Sequence, residues 1–176
     1  MSSAQLAGGA SGIGSMVVQA PNTNSAQVAT LPDATGTVMV SGAMPAFSAY
    51  QSSAQTLSSI TATKIQFQTK EYDTNSNFDN TTNYRFTPTI AGYYQFSGGI
   101  STASSQTSIS VVFYKNGSAF KQVTQLGLAG SGFGSALIFC NGSTDYVELY
   151  ATIGVGQALI ANASLTYFQA AMIRSA

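Results

Sequence analysis

Histidine is absent from this 176-residue chain, and Cys140 is its only cysteine. Without imidazole there is no Ser–His–Asp or Cys–His nucleophile arrangement, no ordinary zinc site and no general base poised near neutral pH. A lone cysteine closes no intrachain disulfide and builds no multi-thiol metal site. Acid–base chemistry would therefore fall to six carboxylates. They offer two close pairs, Glu71 with Asp73 and Asp145 with Glu148. Glycoside hydrolysis needs two such groups facing each other across a cleft, and proximity in sequence does not supply that. The expectation is a protein that is not an enzyme and has no catalytic residues.

Two stretches carry the outline of a ligand motif. Gly9-Ala10-Ser11-Gly12-Ile13-Gly14 has the glycine spacing of a dinucleotide-binding turn. That turn works between a strand and a helix whose amides and dipole hold the pyrophosphate. Neither flank has the pattern, and no Tyr-x-x-x-Lys pair follows. Asp73, Asn75, Asn77 and Asp79 alternate along the chain as ligands of a calcium loop do. Phe78 stands where such a loop needs glycine, and no late Glu completes the shell. An ordinary polar loop explains the same residues, so no cofactor is expected and calcium is the single candidate. Asn80, Asn116, Asn141 and Asn162 begin Asn-x-Ser/Thr sequons and read as turn residues. Cys140 alternates with Ile138 and reads as a small buried hydrophobe.

Composition bounds the partners. Charged side chains make up 7% of the chain, against about 25% in an average soluble domain. Six basic and six acidic residues cancel. A neutral chain has no field to attract phosphate backbones or anionic lipid, so neither nucleic acid nor a membrane is an expected partner. No apolar run approaches the roughly 18 residues of a membrane span. The N-terminus lacks the basic and apolar regions of a secretory signal, which points to synthesis in a cytosol without general export. A surface this poor in charge leaves apolar area exposed, and such area marks contact with another chain.

The elements that must position these groups fall into two textures. Residues 1–44 are rich in Gly, Ser, Ala and Thr. Their short apolar runs are Met16-Val17-Val18 and Val38-Met39-Val40, separated by the turn formers Pro21-Asn22, Pro32-Asp33 and Thr35-Gly36. This reads as an anchoring or stalk arm without a core of its own. From residue 45 to 176 short alternating runs take over, as at Ile65 and Phe67, Tyr94 and Phe96, and Ile109, Val111 and Phe113. Asn116-Gly117 and Asn141-Gly142 are strong turn signals. Eight to ten strands with a turn every 8–12 residues and no capped helical period predict an all-β jelly-roll sandwich. The steps Tyr93-Tyr94, Phe113-Tyr114 and Tyr167-Phe168 put one ring on each face of a strand. One ring fills the core and the other needs a neighbour. Tyr93, Tyr94, Phe96, Phe113, Tyr114, Tyr167 and Phe168 are therefore the candidates for a subunit interface.

The text from Pro45 onward resembles the globular head of the complement q and tumour-necrosis-factor-like family. The resemblance is carried by Ala46-Phe47-Ser48-Ala49, by Asn77-Phe78-Asp79, and by Tyr84-Arg85-Phe86 running on to Ala91-Gly92-Tyr93-Tyr94-Gln95-Phe96. Tyr114-Lys115-Asn116-Gly117, Asp145-Tyr146-Val147-Glu148-Leu149 and Thr166-Tyr167-Phe168-Gln169-Ala170 continue it. Thr87 replaces a cysteine frequent in the family, and the final Phe-Leu pair is altered. The resemblance implies a ten-strand jelly roll that assembles as a compact homotrimer through aromatic faces. It implies a strand-entry role for Asp145, and it brings calcium into view because some such heads hold it.

The arm has its own resemblance. Gln19-Ala20-Pro21-Asn22-Thr23-Asn24 and Thr30-Leu31-Pro32-Asp33-Ala34-Thr35-Gly36-Thr37-Val38 are similar to the stem repeats of phage tail fibres and related virion proteins. No Gly-X-Y collagen stalk is present. Together these imply a bacteriophage virion protein made in the host cytoplasm, whether short fibre, head fibre or capsid decoration. Its arm would dock on other virion proteins, and its head would face a host-surface glycan or protein. The alternatives are a stand-alone extracellular ligand-binding module of the complement-q type and, with no supporting residues, a hydrolase.

Overall fold

The computed structural model describes residue 42 and residues 44–176. Met16, Val17, Val18, Val38, Met39 and Val40, the expected anchoring residues, lie outside the described residues. Alternation of aromatic or β-branched residues with polar ones gives strands in order: β1 (Ala46–Tyr50), β2 (Thr56–Leu57), β3 (Thr63–Lys64), β4 (Thr69–Asp73), β5 (Phe78–Asp79), β6 (Arg85–Phe86) and β7 (Gly92–Gln106). They continue as β8 (Ile109–Lys115), β9 (Ser118–Leu126), β10 (Ala129–Cys140), β11 (Val147–Ile153), β12 (Gln157–Ala158) and β13 (Tyr167–Ser175). No α-helix occurs among the described residues.

Two antiparallel sheets face each other. One has the order β10-β7-β13-β1-β4; the other has β5-β6-β11-β8-β9, with β3 beside β11. Sequence neighbours are mostly split between sheets, and the first and last long strands pair, Ala46 with Ala171 through Tyr50 with Tyr167. This is the expected jelly roll. The hairpin between β8 and β9 turns at Asn116 (φ +54°) and Gly117 (φ +79°), the double left-handed turn that Asn-Gly favours. Asp145 ties that turn to the next. Its carboxylate takes hydrogen bonds from Asn116 Nδ2 at 2.7 Å and the Asn141 amide at 3.0 Å, and pairs with Lys115 Nζ at 2.8 Å. Asn141 and Asn162 accept N–H groups of the residues just beyond them, so these sequon asparagines do turn work.

The core between the sheets is aromatic. Phe47 stacks on Phe78 and on Phe86 with ring centroids 4.6 Å apart in each case. Phe168 lies 5.1 Å from Phe47 and 5.8 Å from both Phe96 and Phe113. This corrects part of the interface expectation. Tyr94, Phe96, Phe113 and Phe168 each have no exposed area; they fill the chain's own core and present nothing to a second subunit. The one-in, one-out reading of the aromatic steps holds, with Tyr93, Tyr114 and Tyr167 as the outer members.

Candidate self-association face

The outer surface of the β10-β7-β13-β1-β4 sheet is apolar where β10, β7 and the end of β13 meet. Strand β10 keeps the phase read for Ile138 and Cys140 and turns its largest side chains outward. Phe133, Leu137 and Phe139 point outward, 40–48% exposed, while Gly132, Ile138 and Cys140 point inward. The cause is close packing beneath: a Cβ on Gly132 would meet Ile109 at 2.7 Å and Thr124 at 3.1 Å. Small residues must sit inside there, so the large ones go out.

Gly99 organises the rings. It is registered with Phe133 on one neighbouring strand and with Tyr167 on the other. The two rings stack across it at 5.8 Å with planes 24° apart, and a side chain on Gly99 would collide with Phe133. A second pair, Tyr93 and Phe139, lies directly opposed with centroids 5.4 Å apart. Ile173 is 55% exposed. It lines a shallow depression of about 320 Å³ with Tyr72, Gln95 and Gln169. Toward β1 and β4 the face becomes polar, where Ser48 Oγ donates to Glu71 Oε2 at 2.6 Å.

Tyr93 and Tyr167 thus belong to this face, whereas Tyr114 does not. Tyr114 sits on the outer side of the opposite sheet, stacked on Tyr150 at 3.8 Å. Near it in the sheet, Lys64 Nζ pairs with Glu148 at 3.0 Å and the Arg85 guanidinium lies 4.2 Å from the Tyr146 ring centre. Burial, with Glu148, Tyr114 and Tyr146 close by, pushes the Tyr150 hydroxyl above its usual range. The sequence reading missed Phe133, Leu137, Phe139 and Ile173. The glycines at 132 and 134 were the available signal: small residues on one phase of a strand leave the other phase to carry the bulk.

The remaining candidates resolve into structural roles. Asp73 Oδ1 accepts the Asn77 amide at 2.9 Å, and Oδ2 accepts the Phe78 amide and Lys70 Nζ, each at 3.1 Å. Asp79 caps the next turn through the amides of Thr81, Thr82 and Asn83, and those of Thr82 and Thr81 above all hold its carboxyl well below the usual range. Asn77 Nδ2 donates to the Asn75 carbonyl at 3.1 Å. Every carboxylate oxygen of this loop accepts a donor within the fold, while Asn77 Oδ1 is buried without a hydrogen-bond partner. Among the described residues no three His, Cys, Asp or Glu side chains gather in one place. The carboxylate pairs also separate: Glu71 binds Ser48, Asp145 binds Lys115 and Glu148 binds Lys64. Cys140 is fully buried, and that burial raises its thiol pKa to about 11.

Comparison with solved structures fits this architecture. Murine APRIL superposes with a TM-score of 0.59 at 7% identity, over 74% of this chain and 99% of that one. The globular domain of zebrafish complement 1qA gives 0.56 at 19% identity, over 75% and 99%. Eiger TNF from S. frugiperda gives 0.56 at 14% identity, over 76% and 93%. The fold is the TNF and complement 1q jelly roll. No protein-family model matches the chain, and no curated protein matches it.

Proposed function

We propose that this TNF/complement 1q-like head is a non-enzymatic, homotrimeric structural module of a bacteriophage particle, joined to other virion proteins by residues 1–44. The observation that carries the assembly is the outward-facing set of Tyr93, Phe133, Leu137, Phe139 and Ile173. A soluble surface does not keep so many large apolar side chains together without a partner. A face apolar at the β10 edge and recessed near β13 suits a head-to-face contact that closes around a threefold axis. The virion assignment is supported by the stem-like text of residues 19–38. A short fibre, head fibre or capsid decoration all accommodate it, with the head turned toward a host-surface glycan or protein.

Light scattering on the full-length protein tests assembly. A mass of three chains is expected, falling to one chain in Leu137→Asp; a monomeric wild type would refute the trimer. Gradient-purified particles from a producing culture should carry the protein, and its absence from them would refute the virion role. One feature favours the alternative of a stand-alone ligand-binding module. Tyr114, Tyr146 and Tyr150 share one outer sheet face with Arg85, Lys64 and Glu148. Under that reading a soluble trimer would bind ligand there with no particle association.

A further inference from the structure

The end of the sandwich remote from Pro45 is an anomaly. At the near end the Pro45 carbonyl accepts the Met172 amide, and Gly92, the start of β7, pairs with Cys140 and Ser175. At the far end β7 finishes at Gln106, paired with Ala129. Four loops meet there. Ile60 N donates to the Ile153 carbonyl at 2.8 Å, Gly154 N to the Ser108 carbonyl at 2.8 Å, and Val155 N to Gln106 Oε1 at 2.8 Å. Leu126 is registered with Ile109 at the adjoining turn.

These loops display aliphatic side chains to solvent: Leu128 is 83% exposed, Ile60 79%, Val155 55% and Leu126 45%. Ile60 and Leu128 do so from left-handed backbone, φ +53° and +50°. A β-branched residue is strongly disfavoured there, and Asn or Gly would be easier. The segments 58–62, 104–108, 126–130 and 153–158 contain no charged residue, and Ser and Thr surround the aliphatic tips.

We infer that this end is a lipid-contacting tip, inserting Ile60, Leu128, Val155 and Leu126 into the interfacial layer of a membrane. These aliphatic side chains come from different loops and leave most or much of their surface uncovered by the chain. A fluid acyl boundary accommodates protrusions without a matching groove. With no charge to desolvate, contact costs little, and the hydroxyl rim matches the hydrogen-bonding headgroup layer. The neutral chain has no field to draw it to anionic lipid, but apolar insertion needs none. The inference does not depend on the trimer.

The test is co-sedimentation of the full-length protein with neutral phosphatidylcholine vesicles at low and high salt, beside Ile60→Asn, Leu128→Asn and the double variant. Asn suits left-handed backbone, so the variants should fold with an unchanged or raised Tm and keep the wild-type mass. Wild-type binding should be indifferent to salt, and each substitution should lower it roughly tenfold or more. Absence of wild-type binding, binding that falls with salt, or a double variant that sediments like wild type would overturn the proposal. So would a wild-type mass twice that of the double variant, which would make the tip a contact between copies. Because mass is read without vesicles, failure of lipid binding and failure of trimer assembly are separate results.

Discussion

Tyr167 and Phe168 are adjacent, both aromatic, and assigned opposite tasks by the strand that carries them. Phe168 has no exposed area and contacts the rings of Phe47, Phe67, Phe78, Phe96 and Phe113 at 5.1–6.1 Å. Phe168→Ala removes the ring that joins these five and leaves a cavity that two packed sheets cannot close. A buried Phe→Ala change costs about 3–5 kcal/mol, a large share of the roughly 5–15 kcal/mol of a whole domain. With a urea slope of about 2 kcal/mol per molar, the midpoint should drop by about 2 M. Tyr167→Ser loses a partly exposed ring stacked on Phe133 and opens no internal cavity. It should cost about 1 kcal/mol or less in the monomer and reduce the light-scattering mass. Both variants are measured by urea unfolding in a Leu137→Asp background, so that association does not enter the midpoint. If Phe168→Ala costs less than about 1.5 kcal/mol, or Tyr167→Ser costs as much, the assignment of faces is wrong.

Gly99→Ala drives a methyl into Phe133 and the neighbouring strand; we expect a loss of about 1–3 kcal/mol in thermal unfolding and weaker self-association. Depressed carboxyl pKa values set the acid limb. Asp79 titrates below its ordinary range in the fold, held down chiefly by the Thr82 and Thr81 amides. Its stabilisation is therefore complete above the unfolded value of about 3.9 and lost as pH falls toward the folded one. Urea midpoints should decline below about pH 4, and less steeply in Asp79→Asn. With no histidine in the chain, they should be flat between about pH 5 and 8. Cys140, buried and raised to about 11, should resist iodoacetamide at pH 7.5 and alkylate fully in denaturant, as read by mass spectrometry.

The jelly roll was legible because its signals are local and redundant. Asn116-Gly117 demands a hairpin, and Ile109, Val111 and Phe113 beside it choose the buried phase, which they occupy. The exposed face was only half legible. Periodicity says that residues alternate but not which phase goes inward, and apolar bulk is the usual guide. At the Gly132 end of β10 that guide fails, because Ile109, Thr124 and Val111 press against the strand and leave no room for a side chain there. Tyr94 and Phe113 were drawn toward the interface for the converse reason. Each is one of an aromatic pair, and sequence cannot tell the ring that completes a core from the ring that leaves it. At residues 73–79 the alternating spacing does not show what the fold adds: the loop folds back and supplies its own N–H groups to both carboxylates.

The scarcity of charge gives the fold and the exposed face a common logic. Among the described residues three ion pairs fasten turns and strands together: Lys115 with Asp145 between two hairpins, Lys64 with Glu148 across β3 and β11, and Lys70 with Asp73 at the end of β4. Asp79 closes another turn. Charges used in this way leave the patch around Phe133, Leu137 and Tyr167 to apolar contact. An interface of that kind has little for counterions to screen, since salt acts on exposed charges over a Debye length of about 10 Å at 0.1 M. Self-association should therefore hold or strengthen as sodium chloride rises from about 0.05 to 1 M, a range over which that length shrinks to about 3 Å. Sedimentation velocity across the series reads this directly. Dissociation at high salt would mean that Glu71, Lys115 or Arg174, exposed on β13 opposite Tyr93, carries the contact, and the aromatic face would then lose its place as the seat of assembly.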